Sequence, residues 1–507
     1  MLTRNTKPSE GNSFPQLLRM EWAKFRNARG LVIGILVALL LTVLPGLFLS
    51  TMMTNQGETI PIGPNGEAVS DKFYFVHKTL IGDGSITVRV TSLTGIITYP
   101  PPNHDEYMVS GVVPWAKAGV LIKDGLKHGS AYAAIMVTGK QGVRMQYNFI
   151  NDTAGRPGSV SPESPRWLRL LRSGDVITGY ESMDGTQWTK VDTAHLIGFP
   201  STVEIGLFVT SPGNVTLDDG ANRFASATAV IDEVAVQGEG LSSTWRNDDF
   251  GAKKGLGNPI LYGNSNESDG SFTINGNGDI APLGAVDGWP VERALIGTFA
   301  GLIEVMIVAV LFFTTEYRRN KNRSAQNASL GFGRTMAAKA CVISIVSFVI
   351  GLFAAIAVIV ICKQILTSNG SQVLPVTMLT ELRVLLGTAM LFAFAAVFAF
   401  ALAFLLRKSV LAVTISIMGI ALPYVIANIL PSRLGDVSKW LLQLTPAAGF
   451  SIQQSIPRFP QVVGPYIPQF GYYPLAPWAG LSVLCGYTVL AIGLSAFQFH
   501  RKEVIMK

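Results

Sequence analysis

Apolar residues fall along this chain in two different rhythms. Six unbroken apolar stretches run roughly 31–50, 295–315, 340–362, 382–406, 409–431 and 475–498. Each comes near the ~20 residues a helix needs to cross a bilayer core. Between the first and second, residues 51–290 change to short runs in which apolar and polar positions alternate. SITVRVTSL, YAAIMVT, RMQYNFI, WLRLLRS, VEIGLFV and AVIDEVAV are the clearest, punctuated by glycine and turn residues. A period of two marks half-buried strands, and many short strands between regular turns predict an all-β sandwich. The span from Ser70 to Gly238 is long enough for one two-sheet domain with its own core. The glycine- and asparagine-rich tail GNSNESDGSFTINGNGDIAP then reads as a semi-ordered juxtamembrane strap leading back to the lipid.

Charge orients this pattern. The net charge of +7 is unevenly placed. Residues 51–290 hold 17 basic and 25 acidic residues, and the remainder holds 23 basic and 8 acidic. The basic pI therefore points to membrane-proximal segments rather than to nucleic acid. Arg4, Lys7, Arg19, Lys24, Arg26 and Arg29 precede the first span. Arg318, Arg319, Lys321, Arg323, Arg334 and Lys339 follow the second, Arg407 and Lys408 follow the fourth, and Arg501, Lys502 and Lys507 close the chain. Every alternate connection is basic, so the positive-inside rule places these in the cytoplasm with both termini. Residues 51–290 are then extracytoplasmic, as are the loops near 367–380 and 432–474. In the last, Trp440, Leu441, Leu444 and Phe450 recur at helical spacing, which predicts short helices dipping into the outer leaflet or lying as ordinary amphipathic loop helices. No cleavable signal peptide is evident, so the first apolar run reads as a retained span. The three cysteines, Cys341, Cys362 and Cys485, all lie in apolar runs, so the β-rich region cannot hold a disulfide.

Two polar segments bear on function. In the arm FPQLLRMEWAKFRNARG, Leu17, Leu18, Trp22 and Phe25 make one apolar face, as expected of a helix resting at the membrane interface or of a plain positive anchor. After the second span comes TTEYRRNKNRSAQNASLGFGRTMAAKA. It is long for a mere turn, and its middle is small and polar rather than charged, which suits a helix packed on a protein partner.

These segments carry a resemblance. EWAKFRNARG before a first span and EYRRNKNRSAQNASLGFGRTMAAKA after a second resemble the permease subunits of type-2 ABC exporters, as does TPAAGF before the final span. The likeness covers residues 15–50 and 295–500, and the order of its motifs around six spans strengthens it. It implies that Glu21, Trp22, Lys24 and Arg26 lie on an elbow helix. It implies that residues 316–339 hold a coupling helix entering an ATPase, with Glu316, Tyr317, Arg318, Arg319, Asn320 and Arg323 at its head. It also implies a re-entrant region within 432–474. One departure is plain: typical members have a short first outer loop, whereas here it runs to residue 294. No GxxxxGK[ST] occurs; GLKHGSAY and GAKKGLGN fail its spacing. The chain then binds no cofactor itself, ATP and Mg belong to a partner ABC ATPase subunit, and a second permease copy or homologue completes a dimer in the lipid bilayer.

The insert has its own likeness. PWAKAGVLIKD, PRWLRLLRSGDVITGYESMDGTQWTKV and VEIGLFVTS, in that order, resemble a concanavalin A-like jelly roll of the DUF1349 type over roughly 70–238. Relatives of that sandwich often bind glycans, and some cleave them with two clustered carboxylates. That cluster is lacking here, because the adjacent Asp232 and Glu233 on a strand point to opposite faces. Trp115, Trp167 and Trp188 remain candidates for stacking on cell-wall glycan, with core packing as the alternative role. Asp83 and Asp184 read as turn formers, and His77, His104, His128 and His195 have no ligand spacing, so no metal is assigned. Within the spans, Glu304 is a candidate transport-path or gating carboxylate, or else a hydrogen-bonded structural partner. Pro423 and Asn428 mark a kink and a polar lining, or simple packing.

The expected fold is thus an α-helical polytopic membrane protein with six transmembrane helices, both termini cytoplasmic, and an inserted all-β jelly-roll sandwich. Three parts follow: residues 1–50, with the arm, elbow and first span; 51–290, the extracytoplasmic domain; and 291–507, the remaining spans. The expected role is an exporter permease in the cell membrane whose outer domain caps the pathway or touches glycan. A membrane-anchored lectin-like receptor or sensor is the competing expectation.

Overall fold

Helices build the first of two units, and each unit follows from one of the two sequence rhythms. The computed structural model describes residues 13–53, 59–98, 108–215, 222–250, 263–284, 288–320, 329–371, 373–429, 436–464 and 466–505. The helical unit comprises Met1–Gly57, Trp289–Pro457 and Tyr466–Lys507; the β unit comprises Glu58–Gly288 and Arg458–Pro465.

In the helical unit, α1 (Phe14–Asn27) leads into α2 (Arg29–Met52). A 3-10 turn, Val291–Gly297, opens α3 (Thr298–Asn320). Then come α4 (Ser329–Ser368), α5 (Met378–Leu406), α6 (Ser409–Ile429), the short α7 (Asp436–Leu444) and α8 (Pro477–Ile505). Six segments are long and apolar enough to cross a membrane: Arg29–Met52, Val291–Thr314, Gly333–Ser368, Met378–Leu406, Ser409–Ile429 and Pro477–Arg501. The third extends well beyond the 340–362 expected from hydropathy, because TMAAKA before it and KQILTS after it contain no helix breaker.

Between apolar helices, close packing replaces the hydrophobic effect as the force that joins them. On α2 the buried residues Gly34, Ala38, Thr42, Gly46 and Ser50 recur every fourth position, forming one small-residue stripe. Facing them on α3 is Gly301, where an added Cβ would lie 1.9 Å from Thr42 Oγ1 and 2.9 Å from the Ala38 carbonyl oxygen. No larger side chain fits. Helix α5 is well enclosed, with Phe392, Ala395, Ala396 and Ala399 in the core shared with α3. It stops at Arg407, which adopts φ +57° and donates its N–H to the Ala403 carbonyl, so α6 begins two residues later.

Beside two short two-stranded sheets among the described residues, two large antiparallel sheets dominate the β unit. One orders Arg246–Phe250, Phe73–Ile81, Thr202–Thr210, Lys117–Lys123, Tyr132–Thr138, Val143–Tyr147 and Asn151–Ala154. The other orders Thr189–His195, Val176–Ser182, Arg166–Ser173, Gly84–Thr98, Ala225–Gly238, Ser271–Gly276 and Asn264–Ser268, with Met108–Ser110 beside Gly84–Thr98. Alternate residues of both meet in one core: Val76, Val120, Ile135 and Ile205 from the first, Val88, Leu170, Ile177 and Ala229 from the second. This is sandwich-like packing of sheet on sheet.

Two findings depart from the sequence reading of this region. Residues expected to form a strap instead supply strands Asn264–Ser268 and Ser271–Gly276, joined at Asp269 and Gly270, both at positive φ. Phe272 and Ile274 drive this by entering the core at alternate positions. In addition, Arg458–Pro465 belongs to the β unit although the chain reaches it from the helices. Its Gln461 is buried and donates from Nε2 to the Phe149 carbonyl at 2.9 Å.

Candidate functional site

The arm helix is locked to the bundle by charge. Ser13 starts α1, its N–H bonding Gln16 Oε1 at 3.0 Å, and Pro15 fits the first turn. The face that packs inward carries Phe25 and, unexpectedly for a carboxylate, Glu21, which is 1% exposed. Lys339 of α4, equally buried, reaches Glu21 at 3.1 Å. Lys339 also donates to the Phe312 carbonyl at 3.4 Å and sits 4.0 Å from the centre of the Phe312 ring. Phe25 meets the same ring edge-on at 5.2 Å. Helices α1, α3 and α4 therefore converge on one buried ion pair with an aromatic wall. Lys24 adds a second contact to Glu21 from a partly exposed position, whereas Trp22 and Arg26 are exposed.

This junction flanks the basic segment on both sides. The backbone of Glu316, Tyr317, Arg318, Arg319 and Asn320 continues α3. Their side chains, and Arg323 entirely, lie outside the described residues. Hydropathy reading had no reason to single out Lys339. The available signal was its position as a lone charge amid the small residues of TMAAKA, matched by a lone acid in the basic arm.

Glu304 is half-buried on α3, one turn before Val308, which packs on Gly34 of α2. A Cβ added to Gly34 of α2 would come 3.1 Å from Glu304 Oε1. Among the described residues, no hydrogen bond or ion pair holds the Glu304 carboxylate. Asn428, in contrast, bonds back along α6 from Nδ2 to the Tyr424 carbonyl at 2.8 Å, so it is tied to its own helix.

Residues 446–455 form a buried plug that sequence reading located but did not resolve into contacts. Thr445 caps the 3-10 helix Pro446–Gln453, all of which is buried. Gln453 Nε2 bonds Thr298 Oγ1 at 3.0 Å and Thr388 Oγ1 at 3.2 Å. Glu292 accepts from the Ser455 N–H at 3.1 Å and from its hydroxyl. Arg383 donates to the Gln454 carbonyl at 2.5 Å, and Tyr424 stacks on Phe450 at 3.9 Å. Glu292, Arg383 and Gln453 gave no local signal, because each acts through a partner far along the chain.

The outer face of the seven-stranded sheet carries a second buried apolar cluster, with Phe73, Phe75, Leu121, Tyr132 and Phe208, and a few buried charged groups are set into it. Lys123 is buried and paired with Asp71 at 2.9 Å, with the Tyr132, Phe149 and Phe250 rings within 5.7 Å. Burial holds its ammonium below the ordinary lysine range, against the opposing pull of Asp71 and Asp124. His77 lies between Glu204 and Asp248, each 2.7 Å from a ring nitrogen. Burial opposes the charged form of Glu204, but His77, Arg246 and Thr79 outweigh it and hold that carboxyl below its ordinary value. Both ring nitrogens of His77 are thus engaged within the sheet. The cluster reads as interstrand bracing.

The three tryptophans separate. Trp115 is buried, with the Arg144 guanidinium 5.5 Å from its ring. Trp167, on the other sheet, and Trp188, in the loop before strand Thr189–His195, are half-buried, with Arg89 at 5.6 Å and Arg169 at 3.9 Å from their rings. Asp184 shapes the turn before Trp188 by accepting N–H bonds from Thr186 and Gln187, both at 2.8 Å. Those bonds hold its carboxyl far below the usual range. Asp83 likewise accepts from the Gly174 N–H at 2.6 Å, and Asp232 pairs with Arg89 at 2.7 Å. Among the described residues, no cluster of His, Cys, Asp and Glu could hold a metal ion.

No protein-family model matches the chain, and no curated protein matches it. Solved structures similar to part of it include a functionally unknown protein from Saccharomyces cerevisiae. That one is 11% identical over 37% of this chain and 85% of the other, with a TM-score of 0.23. Scytalido-glutamic peptidase, crystallised with a transition state analog inhibitor, is 9% identical over 42% of this chain and 100% of the other, with a TM-score of 0.27. Likeness this slight assigns neither family nor activity.

Proposed function

We propose that this chain is the membrane subunit of an ATP-driven exporter of the type-2 ABC kind, drawing its energy from a separate ATPase subunit. The observation that carries the reading is the buried Glu21–Lys339 pair joining α1, α3 and α4 around the basic segment. A partner pushing on that segment would move three helices together, because the pair cannot be broken without stranding a buried charge. Arg318 and Arg319 offer charge-assisted contacts to carboxylates on such a partner. In this reading the basic connections are cytoplasmic and residues 51–290 extracytoplasmic. The sandwich is a jelly roll that caps the pathway or touches cell-wall glycan through Trp167 and Trp188. A second copy completes the pathway beside α2 and α3, with the half-buried Glu304 as its candidate carboxylate.

The test is co-purification. A tagged chain is expected to bring down a separate chain that carries GxxxxGK[ST]. Recovery of a kinase or regulator in its place would favour the receptor alternative.

A further inference from the structure

The last turns of α4 and the first turn of α5 border a shallow, open groove of about 570 Å³. Its walls combine apolar and oppositely charged groups. Val360, Lys363, Gln364 and Thr367 recur at spacings of three and four, so they share one face of α4. Glu381 enters from α5, in the first turn, where the helix dipole favours a carboxylate. Among the described residues, neither the Lys363 ammonium nor the Glu381 carboxylate has an ion-pair or hydrogen-bond partner. Both charges line the one groove.

Depth fixes what such a groove meets. Lys363 stands five residues before the end of α4 at Ser368, about 7.5 Å along the axis at 1.5 Å per residue. With α4 crossing a bilayer, a long cationic side chain there would reach the headgroup layer. Val360, exposed and nearly one turn further into the helix, would meet an acyl chain.

We propose that this groove binds a glycerophospholipid whose headgroup carries both a phosphate and a primary ammonium. Lys363 takes the phosphate, Glu381 takes the ammonium, the Gln364 amide donates to an ester oxygen, and an acyl chain lies on Val360. Charge complementarity selects this occupant. An anionic headgroup without an amine leaves Glu381 unpaired beside a negative charge, and a trimethylated amine cannot donate a hydrogen bond to it. Only the crossing of a membrane by the six helices is assumed, so failure to capture an ATPase would leave this assignment standing.

The full chain in detergent, exposed to an equimolar mixture of phosphatidylethanolamine, phosphatidylcholine and phosphatidylglycerol with identical acyl chains, is examined by native mass spectrometry. Phosphatidylethanolamine is expected to be retained roughly two- to five-fold over the others, what one exposed ion pair supplies. Glu381→Gln should erase that preference without lowering phosphatidylcholine retention, and Lys363→Gln should lower retention of all three. If Lys363→Gln fails to fold, wild type against Glu381→Gln decides alone. Equal retention of the three lipids by the wild type, or a preference that survives Glu381→Gln, overturns the proposal.

Discussion

Removing the cation from the α1–α4 junction is the sharpest perturbation of the helical unit. Lys339→Met keeps much of the side-chain volume but leaves Glu21 with only Lys24, which is 43% exposed and contributes little. Because Glu21 and Lys339 are each about 1% exposed, solvent cannot rescue the stranded carboxylate. Breaking a buried pair from one side costs about 3–5 kcal/mol, a factor of roughly 10² to 10³ or more in the local equilibrium. The Phe312 carbonyl loses a donor as well. Replacing both partners, as Glu21→Met with Lys339→Met, removes the stranded charge and should restore most of the loss, since an apolar pair of similar volume is often neutral or better. Hydrogen exchange of α1 backbone amides in detergent reads this directly. The single change should expose α1 amides by two or more orders of magnitude, and the double change should return protection to near wild type. Additive losses in the double variant would refute coupling between the two residues.

Two further outcomes are expected. Asp184 has a lowered folded-state pKa and therefore stabilises its turn above the unfolded-state value, about 3.9, and loses this as pH falls through the folded value. The difference in melting temperature between wild type and Asp184→Ala should be full at pH 6 and shrink below pH 4; a constant difference would contradict the assignment. Gly301→Val forces a methyl into Thr42 and the Ala38 carbonyl, so thermal unfolding in detergent should show a loss of about 1–3 kcal/mol, and an unchanged melting temperature would deny the close α2–α3 contact.

The spans were legible because a window of apolar residues long enough to cross a bilayer is rare elsewhere, and the structure places a long apolar helix on each. Strands such as Tyr132–Thr138 and Thr202–Thr210 were legible from alternation combined with β-branched residues. What stayed hidden was long-range. SFTING reads as loop by composition, and only pairing with Ala225–Gly238 shows that Phe272 and Ile274 face a core. Nothing in RFPQVVGP announces that Gln461 is buried against Phe149. Hydropathy assigns Glu21 to water because it values the charge and cannot see Lys339, more than 300 residues away. The tryptophans show the same limit: all three lie in or beside strand-like runs, and only the folded sheets separate buried Trp115 from half-buried Trp167 and Trp188.

Energy transfer from a separate ATPase through the basic segment is the central claim, and charge reversal at its head tests it most directly. The tagged chain should capture the ATPase subunit, and Glu316→Arg combined with Arg318→Glu should reduce that capture at unchanged expression and membrane insertion. Compensating reversals on the ATPase surface should restore it. Full capture by the reversed chain would show that the partner docks elsewhere and would contradict the claim.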